Sequence, residues 1–181
     1  MKTYFYILFF FTINLFSQNY KLINKADKIL QTEKPNLIKA EKLLNKAEKN
    51  DYGFCGNAKV SALSEIDYLR AKILFLQNKF EECLIKLDSE NLWLRQKSAD
   101  SLKIICLIKI HGKEKVKNLI LEKSNKTIIR ESNYLYNKIC LKLEDIDYDF
   151  CFYDQDEKLD YKKELTILEI LEETNFYNSL R

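Results

Sequence analysis

Apolar positions recur at helical spacing through the first two-thirds of the chain. From Tyr20 to Leu30, Leu22, Ile23, Ala26, Ile29 and Leu30 line one face, and Thr32-Glu33-Lys34-Pro35 ends the run because proline cannot donate to a helical ladder. A second helix is predicted from Asn36 to Lys49, with Leu37, Ala40, Leu43, Leu44 and Ala47 on one stripe and Lys and Glu opposite. The Asp51–Asn57 segment holds two glycines and reads as a loop in which Asn57 caps the next helix. That helix runs from about Ala58 to Gln77, and Asn78-Lys79 turns it into a shorter one carrying Phe80, Cys83, Leu84 and Leu87. Beyond Asp88-Ser89-Glu90 the helical period resumes up to Ile110 on Leu102, Ile105, Cys106 and Lys109. Gly112 is placed to end it, and Val116, Leu119 and Ile120 mark a further short helix.

Near Asn125 the period falls to two. Ile139, Leu141 and Leu143 alternate with Cys140, Lys142 and Glu144, and Tyr148, Phe150 and Phe152 alternate with Asp149, Cys151 and Tyr153. The pattern predicts a hairpin turning over Glu144–Asp147. If Leu143 and Tyr148 flank that turn, Cys140 falls opposite Cys151, close enough for a disulfide in an oxidising compartment. Leu159–Leu165 reads as a third strand, and Thr166-Ile-Leu-Glu169 as a capping box opening a last helix through Leu168, Leu171 and Phe176. The fold class expected is mainly α, built from antiparallel helical hairpins, with a small C-terminal antiparallel β-hairpin and a final helix. The expected organisation is a leader over 1–17, a repeat-like helical body over 18–124, and a small β-hairpin-plus-helix appendix over 125–181 packed on the same domain.

Leu37, Ala40 and Leu44, and again Phe80, Cys83 and Leu87, place a small residue between large apolar ones at the same spacing. This resembles the second helix of tetratricopeptide repeats over about residues 20–122. Ala71, Leu74 and Asn78 stand where that family has a small residue, a large one and its turn glycine, and Asn78 and Gly112 lie about 34 residues apart, its repeat length. Asp67 and Arg70 depart from the pattern, occupying positions the family makes apolar. An unrelated helical bundle is the competing reading. The resemblance implies a concave groove lined by the first helix of each pair, which would present Glu65, Tyr68, Lys72 and Phe75 on one unit and Lys109 on the next to a protein or peptide partner.

The opening residues carry a different pattern. Lys2 precedes the apolar run Tyr4–Phe16, with small Ser17 and polar Gln18-Asn19 following. At about 13 residues the run fits a signal-peptide core and is short of the ~20 that span a bilayer. Cleavage near Ser17 and export to the periplasm or beyond are expected, without a lipid anchor, since no cysteine stands at the junction. No later segment is apolar enough to span a membrane.

Composition removes several function classes. The 181 residues include 30 basic and 27 acidic ones, for a net charge of +3, and the charges alternate along helices instead of forming the basic stripe of a nucleic-acid binder. Three glycines, one proline and one histidine leave little common catalytic material, and no phosphate loop, metal-protease or nucleophile-elbow motif occurs. The single His111 at a helix end suits the dipole there. Cys55 lies between glycines without a recognisable activating partner, while Cys83 and Cys106 read as small core hydrophobes. Asp145, Asp147 and Asp149 resemble the opening of a calcium loop, but Phe150 stands where such loops need glycine, so a polar hairpin is expected instead. No cofactor or metal is expected. The reading is an exported, non-enzymatic protein-binding or scaffold protein. An immunity-type antagonist of a secreted toxin is the alternative, and an envelope enzyme comes third.

Overall fold

The structure is a computed structural model that describes residues 20–52, 56–88, 92, 95–130, 138–153 and 163–181. The expected leader, Cys55 and residues 159–162 lie outside the described residues. The chain is mainly α and divides into two compact units, the first ending at Arg95 and the second starting at Gln96. That division differs from the break expected near Asn125, since two helices expected in the helical body sit in the second unit.

The first unit holds α1 (residues 20–30), α2 (Leu37–Glu48), α3 (Gly56–Leu76) and α4 (Phe80–Leu87). Thr32 donates its hydroxyl to the Ile29 carbonyl at the end of α1 (2.8 Å). Asn36 then caps α2 by accepting the Lys39 N–H (2.9 Å), satisfying one of the donors a helix start leaves unpaired. Asn57 is not the cap expected of it, because α3 already starts at Gly56. Helix α3 buries Ala62, Ser64, Ile66, Asp67, Leu69, Ala71 and Ile73, spread around the helix because both α2 and α4 pack on it. Small side chains make these approaches close: Ala40, Ala47, Ala62 and Ala71 are fully buried, and the Cys83 thiol on α4 donates to the Ala71 carbonyl across the contact (3.2 Å).

The turn between α3 and α4 is closed by backbone bonds. Lys79 N–H donates to Leu74 O (3.0 Å) and Asn78 N–H to Phe75 O (2.9 Å), with Asn78 in the left-handed region at φ 59°. This is a Schellman termination with asparagine at the position glycine usually takes.

The second unit holds α5 (Gln96–His111), α6 (Lys113–Ser124), β1 (Thr127–Arg130), β2 (Lys138–Leu143), β3 (Tyr148–Tyr153), β4 (Lys163–Thr166), α7 (Ile167–Glu172) and α8 (Tyr177–Leu180). Strands β2 and β3 pair antiparallel, with Leu143 opposite Tyr148 and Cys140 opposite Cys151. A 3-10 turn over Glu144–Ile146, followed by Asp147 in the left-handed region, reverses the chain. The inward face carries Phe150 and Phe152, whose rings lie 5.6 and 5.7 Å from that of Phe176 in edge-to-face contacts, the arrangement the ring quadrupoles favour.

Three expectations for this unit are corrected. Helix α5 buries Ile104 and Leu107 besides Leu102 and Cys106, while Ile105 is half-buried and Lys109 exposed. The buried stripe is rotated because β3 packs on the helix as well as α6. The third strand does not join the hairpin. It begins at Lys163 and pairs with β1, Thr127 against Thr166 and Ile128 against Leu165, a partner too short to show a period of its own. The capping box at Thr166 and Glu169 forms as expected, but the helix it opens stops at Glu172. There the Thr174 hydroxyl bonds the Leu171 carbonyl (2.6 Å) and the chain turns to bury Phe176 against the hairpin.

Candidate protein-binding surface

Two faces of the first unit concentrate charged and apolar side chains. The first is the stripe of α3 on which sequence spacing placed the partner contacts. Glu65, Tyr68 and Lys72 do come together there, one turn apart. Their charges are matched within the unit: Glu65 receives two bonds from the Arg95 guanidinium (both 2.6 Å), and Lys72 reaches Asp27 of α1 (3.0 Å). The Tyr68 ring has Lys72 Nζ 5.9 Å and Arg95 Cζ 5.8 Å from its centroid, within reach of a cation–π attraction. The bonds to Glu65 push the Arg95 guanidinium up from its ordinary range, against the opposing effect of burial. Phe75 lies a turn further along, against Phe80 at 5.6 Å. Lys109 is exposed in the second unit.

The second face is a groove of about 490 Å³ formed by α2, α3 and α4. Its apolar lining is Leu37 and Ile38 from α2 with Ile73 and Leu74 from α3; Glu41, Lys42, Arg70, Gln77 and Lys86 form its polar border. Arg70 ties the border together. It bonds Glu41 (3.1 Å), both oxygens of Glu48 (3.0 and 2.7 Å) and Asn45 (2.6 Å). The Glu48 hydrogen bonds hold the guanidinium well above its usual range, and the same bonds hold the Glu48 carboxyl below the ordinary glutamate range. Lys86 pairs with the buried Asp67. The two residues that break the tetratricopeptide pattern therefore tie α2 and α4 to α3.

Apolar surface in this unit remains uncovered. Ile38 is 72% exposed and Ile85, next to groove residue Lys86 on α4, is 76% exposed, the two most open of the large aliphatic side chains described. The sequence carried a signal for both findings. Glu41, Asn45 and Glu48 repeat at i, i+4 and i+7, and Ile38 sits off the apolar stripe of its own helix.

In the second unit, Cys140 and Cys151 are joined by a disulfide. Behind the hairpin, Lys103 on α5 donates to the Cys151 carbonyl (3.4 Å) and Asp100 accepts the Tyr153 N–H (3.3 Å). Both charged side chains are buried and 3.9 Å apart. They anchor the hairpin to α5, which their sequence positions did not suggest. His111 ends α5 half-buried, while Asp145, Asp147 and Asp149 belong to the hairpin turn and its flank. No cluster of three or more His, Cys, Asp or Glu side chains suited to a metal ion occurs among the described residues. No described helix is long and apolar enough to cross a membrane. A scan of the chain against protein-family models finds no match, and comparisons with curated proteins and with solved structures find none.

Proposed function

We propose that this is an exported, non-enzymatic protein-binding protein whose first unit supplies the contact surface at the α2–α3–α4 groove. The observation that carries the reading is Ile38, 72% exposed at the edge of an apolar groove whose neighbouring acids and Arg70 already have partners. An aliphatic side chain so open, beside a concave apolar surface, gains from being covered; burial of such a side chain is worth roughly 1.5–3 kcal/mol. The groove is favoured over the Glu65–Lys72 stripe because the charges of that stripe are engaged with Asp27 and Arg95. The apolar leader and the Cys140–Cys151 bond support export, since disulfides persist in oxidising compartments.

The test is photo-crosslinking in the producing cell, with a photoreactive residue at Ile38 or, for comparison, at Lys72. A discrete protein adduct from Ile38 and none from Lys72 is expected. Adducts from Lys72 alone would move the interface to the α3 stripe, and none from either would end the binding reading.

A further inference from the structure

The disulfide of the second unit lies on the outer face of its hairpin. Side chains two apart on a strand share a face, and those opposite one another across a strand pair are neighbours. On β2 this groups Lys138, Cys140 and Lys142, and the register sets Tyr153, Cys151 and Asp149 opposite them in that order. Cys140 and both lysines are exposed, whereas Cys151 is half-buried. Neither lysine has an ion pair among the described residues. The other face carries the packing: Ile139, Leu141, Phe150 and Phe152 are buried there. Asp100 and Lys103 of α5 hold β3 by its backbone, at the Tyr153 N–H and the Cys151 carbonyl, and Lys123 of α6 reaches Glu144 at the turn (3.9 Å). Opening the S–S bond removes none of these contacts.

We propose that Cys140 and Cys151 form a reversible dithiol–disulfide couple that exchanges with external thiols and disulfides, Cys140 attacking and Cys151 resolving. The lysines on either side of Cys140 stabilise its thiolate, the nucleophilic form, while Asp149 beside Cys151 opposes ionisation there. Asp149 also stands opposite Lys142, so Lys138, across from an uncharged tyrosine, is the stronger influence on Cys140. Exposure adds to the difference, because an incoming sulfur reaches Cys140 first. In the reduced hairpin the Cys140 thiolate attacks one sulfur of an external disulfide, RSSR. The bond between the two external sulfurs breaks, one RS group stays joined to Cys140, and the other leaves as a thiolate. Cys151, deprotonated in turn, attacks Cys140 Sγ, closes the internal bond and expels the second RS group. Two electrons pass from the cysteines to RSSR, and the two protons end on the released thiols. In reverse, two RSH molecules open the bond. The inference goes beyond the binding reading and does not depend on it, since the groove of the first unit plays no part.

The test uses the full chain purified from producing cells, with reduced and oxidised glutathione as the thiol and the disulfide, and peptide mapping by mass spectrometry. Glutathione is expected to open the bond in the folded protein, with the circular dichroism spectrum retained. In the reduced chain, Cys140 is expected to react with iodoacetamide at neutral pH roughly tenfold faster than Cys151, and faster still than buried Cys83 and Cys106. With oxidised glutathione, Cys151→Ser is expected to accumulate the mixed disulfide on Cys140, and Cys140→Ser to leave Cys151 largely unmodified. Lys138→Gln/Lys142→Gln is expected to slow Cys140 severalfold and to move the midpoint of its pH–rate profile upward. Lys138→Arg/Lys142→Arg is expected to keep both at wild-type values, which separates the charge from any part the lysines play in stability. A bond that glutathione opens only when the protein unfolds, equal reactivity of the two cysteines, or a pH profile indifferent to the lysines overturns the proposal.

Discussion

Single residues in this chain do work that composition hides. Asn78 and Gly112, one repeat length apart in the resemblance, both have positive φ, 59° and 86°. They are not equivalent. Asn78 lies in the left-handed region that asparagine tolerates, whereas Gly112, at ψ 147°, occupies a conformation that is nearly closed to side chains. Open space surrounds a Cβ built at Gly112, so any cost there is conformational. Gly112→Ala is expected to destabilise by about 1–3 kcal/mol, and Asn78→Gly to be neutral or mildly stabilising, both read from thermal or urea unfolding. Ser64 offers a contrasting case: its hydroxyl is fully buried without a hydrogen-bond partner among the described residues. Ser64→Ala removes an unsatisfied group at almost no change in shape, and is expected to stabilise by up to about 1 kcal/mol.

Pairs of elements are held by a few polar ties laid over apolar packing. Arg70 joins α3 to α2 through Glu41, Asn45 and Glu48, and the depressed Glu48 carboxyl turns that tie into a pH dependence. A carboxyl held below its unfolded value contributes stability above that value and loses it as pH falls through the lower, folded one. The first unit is therefore expected to lose stability as pH drops below the ordinary glutamate range. Arg70→Met should flatten that acid slope as well as lower stability at neutral pH; an unchanged slope would remove Glu48 as its source. In the β2–β3 hairpin the disulfide closes a loop with a sequence separation of 11. Restricting the unfolded chain over such a loop is worth about 2–3 kcal/mol. Reduction, or Cys140→Ser with Cys151→Ser, is expected to cost that much in chemical unfolding and to raise amide exchange along β2 and β3. An unchanged midpoint would mean that Lys103 and Asp100 alone hold the hairpin on α5.

At the scale of the whole molecule, each unit has its own core: an alanine-rich helical one before Gln96, and an aromatic-centred mixed one after it.

Local periodicity and turn chemistry in the sequence by themselves determined the mainly α class, the extents of α2 and α4, the Asn36 and Thr166 helix starts and the β2–β3 register. These depend on residues within a turn or a hairpin of one another, so spacing alone carries them. Cys140 faces Cys151 for the same reason, since a four-residue loop leaves one register that keeps Phe150 and Phe152 on the inner face. Tertiary structure decided what depends on distant neighbours: the rotated stripe of α5, the pairing of β4 with β1, the break before Phe176, and the burial of Asp67, Asp100 and Lys103. It also decided the candidate surface. Whether Ile38 is core or contact depends on what α3 and α4 leave uncovered beside it, and no spacing within α2 holds that information.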